Sequence, residues 1–339
     1  MGLTPKRLTP AAEQVASMAG VVCNSFAEAA DNVLRTLAGL RLSESTVLRT
    51  AEDAGQRLGQ LLANGKTLGF PRPWDWHRDA LGHTCAYVSI DATGVRQQAK
   101  DGSKADGRMP YVAMVYNPVP DLPEDSPYCP SPKATMQARY LAGLYDLDEL
   151  GLQLRKQGGQ VGMDRAEIWI GLTDGGNGLE NFVTTNFPRN IKLILDFWHP
   201  SEYLLELVKL LHPDEEDARQ QLHQKWCHLM KHEGGQAIIA HLEQYPMPAR
   251  RPSARTKLAE TLTYFRNNVH RMDYPSYVAN GWLIGSGAVE SACKTVVGQR
   301  LKLAGMRWRE DGTDSMCHLR ALFKSEPSQW QAYWRRSIN

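Results

Sequence analysis

Apolar positions over residues 4–65 recur at helical spacing, and their punctuation predicts three helices. Thr9 followed by Pro10 is a cap with proline at the first helical position; Ser25 opens a second run, which Gly39 breaks, and Ser43 caps a third. The pattern changes at Thr84. Cys85-Ala-Tyr-Val-Ser-Ile-Asp91-Ala-Thr-Gly94-Val alternates and is rich in β-formers. Residues 108–117 repeat that character after a polar connector holding Asp101, Gly102 and Gly107, so a hairpin is expected. A proline-rich loop over 118–132 precedes an expected helix over 134–156, with Leu141, Leu144, Leu150 and Leu154 on its apolar side. Residues 166–174 read as a buried strand ending at Asp174 and a glycine cluster, 179–185 as a short helix, and 190–199 as another apolar strand with polar residues at its end. Residues 200–275 are helical, charged and rich in Leu, Gln and His, with a proline and arginine break over 246–252.

Strand, strand, helix, strand, helix, strand is the order of a mixed α/β sheet, here preceded by an all-α unit. The expected organisation is a helical unit over 1–65, a linker over 66–83, the first part of a catalytic domain over 84–199, a helical insertion over 200–284, and a functional helix with a basic region over 285–339. Within the first unit, residues 26–57 resemble a helix-turn-helix with Arg49 on the second helix, although three short amphipathic helices also simply pack together. The stretch carrying Pro71, Pro73, Trp74 and Trp76 reads as a linker or a docking segment.

A length of 339 residues suits two or three units. The formal charge of +2 says little, but from residue 291 onward nine Lys or Arg face four acids, a local net of +5. The six cysteines are scattered without a CxxC pair, which argues against a zinc ribbon and against a disulfide framework. Cys227, His228 and His232 cluster in sequence, but no second cysteine lies in register, and a helical surface is the simpler reading. No run approaches the roughly 20 apolar residues of a membrane span, so a cytoplasmic protein is expected.

The stretch most suggestive of chemistry is Leu283-Ile-Gly-Ser-Gly-Ala-Val-Glu290-Ser-Ala-Cys-Lys294, a glycine-rich turn leading into a helix that Ser286 can cap. Glu290 stands near the helix start, with Lys294, Arg300, Lys302 and Arg307 as a cationic row suited to phosphate. Its bland alternative is a surface pair of Glu290 with Lys294. Asp91 and Asp174, each at a strand end, tip the balance: strand-end carboxylates converging with a helix carboxylate supply the oxygen ligands that Mg²⁺ or Mn²⁺ takes, and such ions catalyse phosphodiester displacement.

Ile90-Asp91-Ala-Thr-Gly94, Leu172-Thr-Asp174-Gly-Gly-Asn-Gly-Leu179, Asp196-Phe-Trp-His199 and Gly285-Ser-Gly-Ala-Val-Glu290 together resemble the ribonuclease H-like DDE transposases of bacterial insertion sequences, the ISKra-type group similar to Mutator-like transposases. The resemblance covers roughly residues 84–310. It implies a ribonuclease H-like sheet with a helical insertion, Asp91, Asp174 and Glu290 as ligands of Mg²⁺ or Mn²⁺, and Asp196 with His199 as the family's Cys-or-Asp, x, x, His motif. It further implies double-stranded DNA as partner, both element ends and target, and a homo-oligomer on that DNA in the nucleoid. One departure is the lack of the cysteine-rich zinc segment that related transposases often carry near the start. Two alternatives stay open at Asp196: it also ends a strand and competes with Asp174 as second ligand, or it is a helix cap with His199 in the first turn. Rival functions are a DNA-binding protein derived from a transposase, and a nuclease without strand transfer.

Overall fold

The structure, a computed structural model, describes residues 8–176, 178–189, 191–246, 251–326 and 329–336. Residues 4–7 of the first expected helix, Asn177 of the glycine cluster, Asn190 of the last expected strand and 247–250 of the expected break lie outside the described residues.

The three N-terminal helices start where the sequence places their caps. In α1 (Pro10–Val22) the Thr9 hydroxyl accepts from the Ala12 N–H at 3.2 Å. α2 (Phe26–Glu28) is capped by Ser25 and runs on as a π-helical turn over Ala29–Arg35, and α3 (Glu44–Ala63) is capped by Ser43. Val47, Ala51, Ala54, Leu58 and Leu62 form the buried stripe of α3, with Ser45 and Arg49 exposed on its other side. Within residues 66–83 the two tryptophans dock, which favours the docking segment over the linker of the two readings. Trp74 and Trp76 are buried edge to face; the Trp74 N–H donates to the Val161 carbonyl at 2.9 Å and the Trp76 indole to that of Gly162 at 3.0 Å. Two indoles of this size bury enough apolar surface to hold a proline-rich segment down.

The expected hairpin forms between β1 (Cys85–Ala92) and a later strand, and the polar connector between them folds into a small ribbon of β2 (Val95–Gln98) and β3 (Lys104–Arg108). β4 (Tyr111–Asn117) pairs antiparallel with β1, and β5 (Gln137–Gly143) antiparallel with β4. β5 corrects the helix expected over 134–156. Its Ala138, Leu141 and Ala142 are buried on both sides of the pleat, and such a strand shows no alternation. The true helix α4 (Leu147–Gln160) begins later, where the Asp146 carboxylate caps the Asp148 N–H at 2.9 Å. β6 (Ile168–Thr173) returns to pair parallel with β1; α5 (Leu179–Asn186) then leads to β7 (Lys192–Leu195), parallel with β6.

The resulting sheet has the order β5-β4-β1-β6-β7. The strand expected over 190–199 is shorter than predicted, because the chain turns at Asp196 and Trp198 opens α6 (Trp198–Leu211). α7 (Glu216–Glu243), α8 (Pro252–Asn268) and α9 (Tyr274–Ala279) complete the expected helical insertion, packing on α6 and on one another. On α7, Cys227 is half-buried against Ser201 and His223, while the His228 and His232 rings lie 4.3 Å apart at a tilt of 39° on the exposed side.

The chain then re-enters the sheet region through α10 (Gly287–Ala292), a π-helical turn over Cys293–Gly298 and α11 (Gln299–Leu301), all one continuous helical rod. α10 lies over β1 and β4. α12 (Glu310–Lys324) covers β5 and crosses α3 closely, and α13 (Gln329–Arg336) follows. That crossing is set by glycine: a Cβ on Gly55 would overlap the Ser315 carbonyl, and one on Gly59 would stand 2.5 Å from the His318 ring. All six cysteines are free, and no described helix is long and apolar enough to cross a membrane.

Candidate active site

Parallel pairing sets the geometry. Ser89 of β1 is in register with Leu172 of β6, and Thr173 of β6 with Leu195 of β7. Continuing both registers places Asp91, Asp174 and Asp196 side by side at the carboxyl ends of three adjacent strands, about 4.8 Å apart per step. The chain leaves β1 toward β4 and β5 and returns on the other side to β6, so these ends border the crevice that strand reversal opens, where open α/β sheets bind ligands.

Asp91 is partly buried. Its Oδ1 accepts from the Ala92 N–H at 2.6 Å and its Oδ2 from the Cys293 thiol at 3.5 Å. Burial raises its pKa above the usual carboxylate range, and the Asp174 charge pushes the same way, against the backbone bond, the thiol and His199. Asp174 turns its Oδ1 to the Gly176 N–H at 2.9 Å, while its Oδ2 stands 3.7 Å from His199 Nε2. Asp196 is fully buried: its Oδ1 accepts from the Ser286 N–H at 2.7 Å, and its Oδ2 lies 3.1 Å from His199 Nδ1. His199, in the first turn of α6, thus bridges two aspartates. Its bond to Asp196 raises its pKa above the ordinary value, burial opposes this, and the charges of Asp174 and Asp196 reinforce it. Asp196 buttresses His199 and the Ser286 turn from a fully buried position, and Asp174 is the more accessible of the two strand-end carboxylates.

Glu290 is exposed on α10, and the Ser286 hydroxyl donates to its Oε1. Ser286 makes no side-chain bond to the backbone of the helix start, which corrects the expected cap. Three residues beyond Glu290, Cys293 ties the same rod to Asp91, and the charges of Asp91 and Glu290 both act on its thiol. Among the described residues no group of three or more His, Cys, Asp or Glu is gathered closely enough to hold a metal ion. Asp91 and Asp174 are the two strand-end carboxylates that could share a hard divalent cation, since Mg²⁺ is commonly bound through one or two carboxylates with water completing its shell.

The cationic row divides. Lys294 and Lys302 are exposed, and Lys302 Nζ reaches Thr93, two residues past Asp91, at 2.9 Å. Arg307 is exposed beside a cleft of about 440 Å³ that Phe26, Leu48 and Trp308 help to line. Arg300 is the correction: it is 1% exposed, its Nε donates to the Gly20 carbonyl at 2.8 Å, and its guanidinium lies 4.3 Å from the Phe26 ring centroid and 5.1 Å from that of Trp308. Desolvation pushes its pKa down to about 10. The α1 end and two aromatic rings cover it, so it faces no solvent-borne phosphate. Arg49 remains exposed, with its Nε donating to the Ser45 carbonyl at 3.0 Å.

Several residues around the strand ends carry no sequence signal. The insertion is tied to them by Arg271, which donates to Thr173 Oγ1 at 3.2 Å, by Tyr274, whose hydroxyl donates to the Leu195 carbonyl at 3.1 Å, and by Tyr264, whose hydroxyl sits over Gly175. Only Cys293 was detectable in principle, by its spacing from Glu290 on one helical face. No family model and no curated protein matches this chain.

Proposed function

We propose that the chain is a DDE-type DNA transposase of ribonuclease H-like fold, cutting and joining phosphodiester bonds with Asp91, Asp174 and Glu290. The observation that carries this reading is the placement of Asp91 and Asp174 on adjacent parallel strand ends, with the Glu290 rod tied to Asp91 through Cys293. A mixed sheet with three antiparallel strands and two parallel crossovers supports the ribonuclease H-like reading.

In this reading Asp91 and Asp174 hold Mg²⁺ or Mn²⁺, and Glu290 completes the set. The bound ions would activate the attacking oxygen and stabilise the leaving one. Holding two carboxylates of like charge side by side costs stability in the free protein, and a divalent cation relieves that cost. His199, braced by Asp196, fixes the Asp174 side of the crevice; second-layer groups of this kind are worth roughly 10- to 100-fold in affinity or activity. Lys302, beside Thr93, is placed to meet a phosphate of bound duplex, and Lys294 extends that surface. Sequence preference is assigned to the exposed side of α3, through Ser45 and Arg49.

The test is cleavage of duplex DNA with Mg²⁺ or Mn²⁺, scored for joining of a 3′-hydroxyl end to a second duplex. Cutting without joining would leave a nuclease. DNA binding without cutting would leave a non-catalytic DNA-binding protein.

A further inference from the structure

We infer that the Tyr264 hydroxyl contacts the substrate, donating a hydrogen bond to a non-bridging oxygen of the phosphodiester held at Asp174. This rests on the proposed phosphodiester chemistry and adds to it a residue from the helical insertion.

Tyr264 stands on α8, and its ring is clamped in place. It stacks on Tyr203 of α6 with centroids 4.1 Å apart and planes at 10°, and Lys257 Nζ lies 4.9 Å from the centroid of that second ring. The clamp aims the hydroxyl at the turn after β6: a Cβ on Gly175 would lie 2.5 Å from the Tyr264 oxygen, so the close approach needs glycine next to Asp174. That oxygen is buried and has no hydrogen-bond partner among the described residues.

A buried phenol without an acceptor costs stability, and native proteins seldom leave one. Asp174, whose charge acts on the phenol, turns one oxygen to the Gly176 N–H and the other toward His199, and neither takes the Tyr264 hydrogen bond. Burial raises the phenol pKa further, so the group is a donor throughout the neutral range. It is therefore a fixed, desolvated donor beside a carboxylate that needs a cation and an anionic substrate. Donors held in this way, aimed where charge develops, stabilise a transition state at no reorganisation cost. A phosphate oxygen brought to Asp174 supplies the missing acceptor. Arg271, behind Thr173, adds positive charge on the same side.

The experiment is Tyr264→Phe in the full chain, which keeps the stacked ring and removes only the oxygen. Three quantities are measured: the melting temperature without DNA, the Kd for a duplex oligonucleotide, and the single-turnover cleavage rate with Mn²⁺. The expected result is a melting temperature equal to or above wild type, an unchanged Kd, and a rate lower by about a hundredfold. On a duplex with a phosphorothioate at the cut position, whose sulfur accepts poorly, wild type should slow markedly and the variant little further, since the two changes remove one bond. Cleavage within twofold of wild type overturns the inference. A lower melting temperature with binding and rate falling together also overturns it, because the hydroxyl would then have an internal partner. The wild-type control separates the two levels: a wild-type protein that binds duplex but never cuts it with Mg²⁺ or Mn²⁺ overturns the phosphodiester reading itself, and this inference with it.

Discussion

At the ends of β1, β6 and β7 three aspartates stand side by side, one with a raised pKa, and a tyrosine hydroxyl beside them has no partner among the described residues. Under α1, Arg320 donates from all three nitrogens, to the carbonyls of Val296, Val21 and Thr295, and Arg300 lies between two aromatic rings with its Nε on Gly20. Both regions bury charge and treat it differently, although Arg300 Nη2, like the Tyr264 hydroxyl, is buried without a partner among the described residues. At the strand ends like charges are held together and donors are left waiting, an arrangement that lowers stability unless a ligand arrives. In the arginine region each cation closes off the carbonyls of a helix end or of a π-helical turn, where the backbone ladder leaves acceptors over. The two are joined by one rod: Glu290 is at its start and Arg300 at its end, so the arginines position the helix that carries Glu290.

The comparison is tested hardest at the carboxylates. Asp91→Asn, Asp174→Asn and Glu290→Gln should each lower metal-dependent cleavage by about a thousandfold or more, beyond the ~10²- to 10³-fold for one lost donor, with duplex binding retained. In the absence of metal Asp91→Asn should melt no lower than wild type, because the charge it removes is one that burial disfavours. If Asp174→Asn kept activity while Asp196→Asn lost it, the second ligand would be Asp196, and the bracing role given to that buried residue would fall.

Arg320→Ala probes the other region. It leaves the Val21, Thr295 and Val296 carbonyls without their donor, and the expected cost is about 3 kcal/mol or more, read as a lower denaturant midpoint. Gly55→Ala should destabilise by about 1–3 kcal/mol through overpacking against Ser315. A Gly55→Ala protein as stable as wild type would show that α3 moves off α12 easily and is not anchored there.

How far the sequence reveals each region follows from the range of its interactions. Strand ends at Asp91 and Asp174 and helix starts at Thr9, Ser25 and Ser43 are local signals, carried by alternation and by capping residues, and the structure has them in place. β5 is the instructive miss. Leu141 and Leu144 are one helical turn apart, as are Leu150 and Leu154, although the two pairs would face opposite sides of a single helix, and a strand covered on both faces offers no alternation to mark it off from the helix that follows. Arg300 was misread for a different reason: its cover, Phe26 and the Gly20 carbonyl, comes from the other end of the chain. A cation at helical spacing looks the same whether solvent or another helix faces it. Tyr264 and Arg271 were invisible on the same ground, since their relation to Asp174 exists only in the folded insertion.

The cationic row should therefore split in solution as it does in the structure. Lys294→Ala, Lys302→Ala and Arg307→Ala should weaken duplex binding across sequences and flatten the salt dependence of log K by up to about one unit of slope per lost phosphate contact, with little change in melting temperature. Arg300→Ala should do the reverse, lowering the melting temperature while leaving the slope unchanged. Equal slopes for wild type and the Lys302 variant would remove that residue from the DNA surface.

The smallest expected effect is a pH signature that separates the two regions by sign. His199, at the strand ends, has a folded pKa raised above its ordinary value of 6.5 by Asp196. The folded state then binds more protons than the unfolded one above that value. Its contribution to stability is fully present below pH 6.5 and is lost as pH rises through the folded pKa. His318, wedged where α3 crosses α12, is the opposite case. Burial lowers its pKa below 6.5, with Asp314 and Glu149 pulling the other way and the Tyr145 ring beside it, so stability is lost as pH falls through 6.5 toward the folded value. Melting temperature against pH for wild type, His199→Gln and His318→Gln, each in buffer free of divalent ions, reads both slopes. The His199 variant should lose the decline above pH 6.5 and the His318 variant the decline below it. Adding Mg²⁺ should shrink only the first, because a cation at Asp174 competes with the imidazolium for the same carboxylate. An unchanged His199 slope with Mg²⁺ would mean that the ion does not bind beside it, and the strand ends would then be a charge cluster like any other.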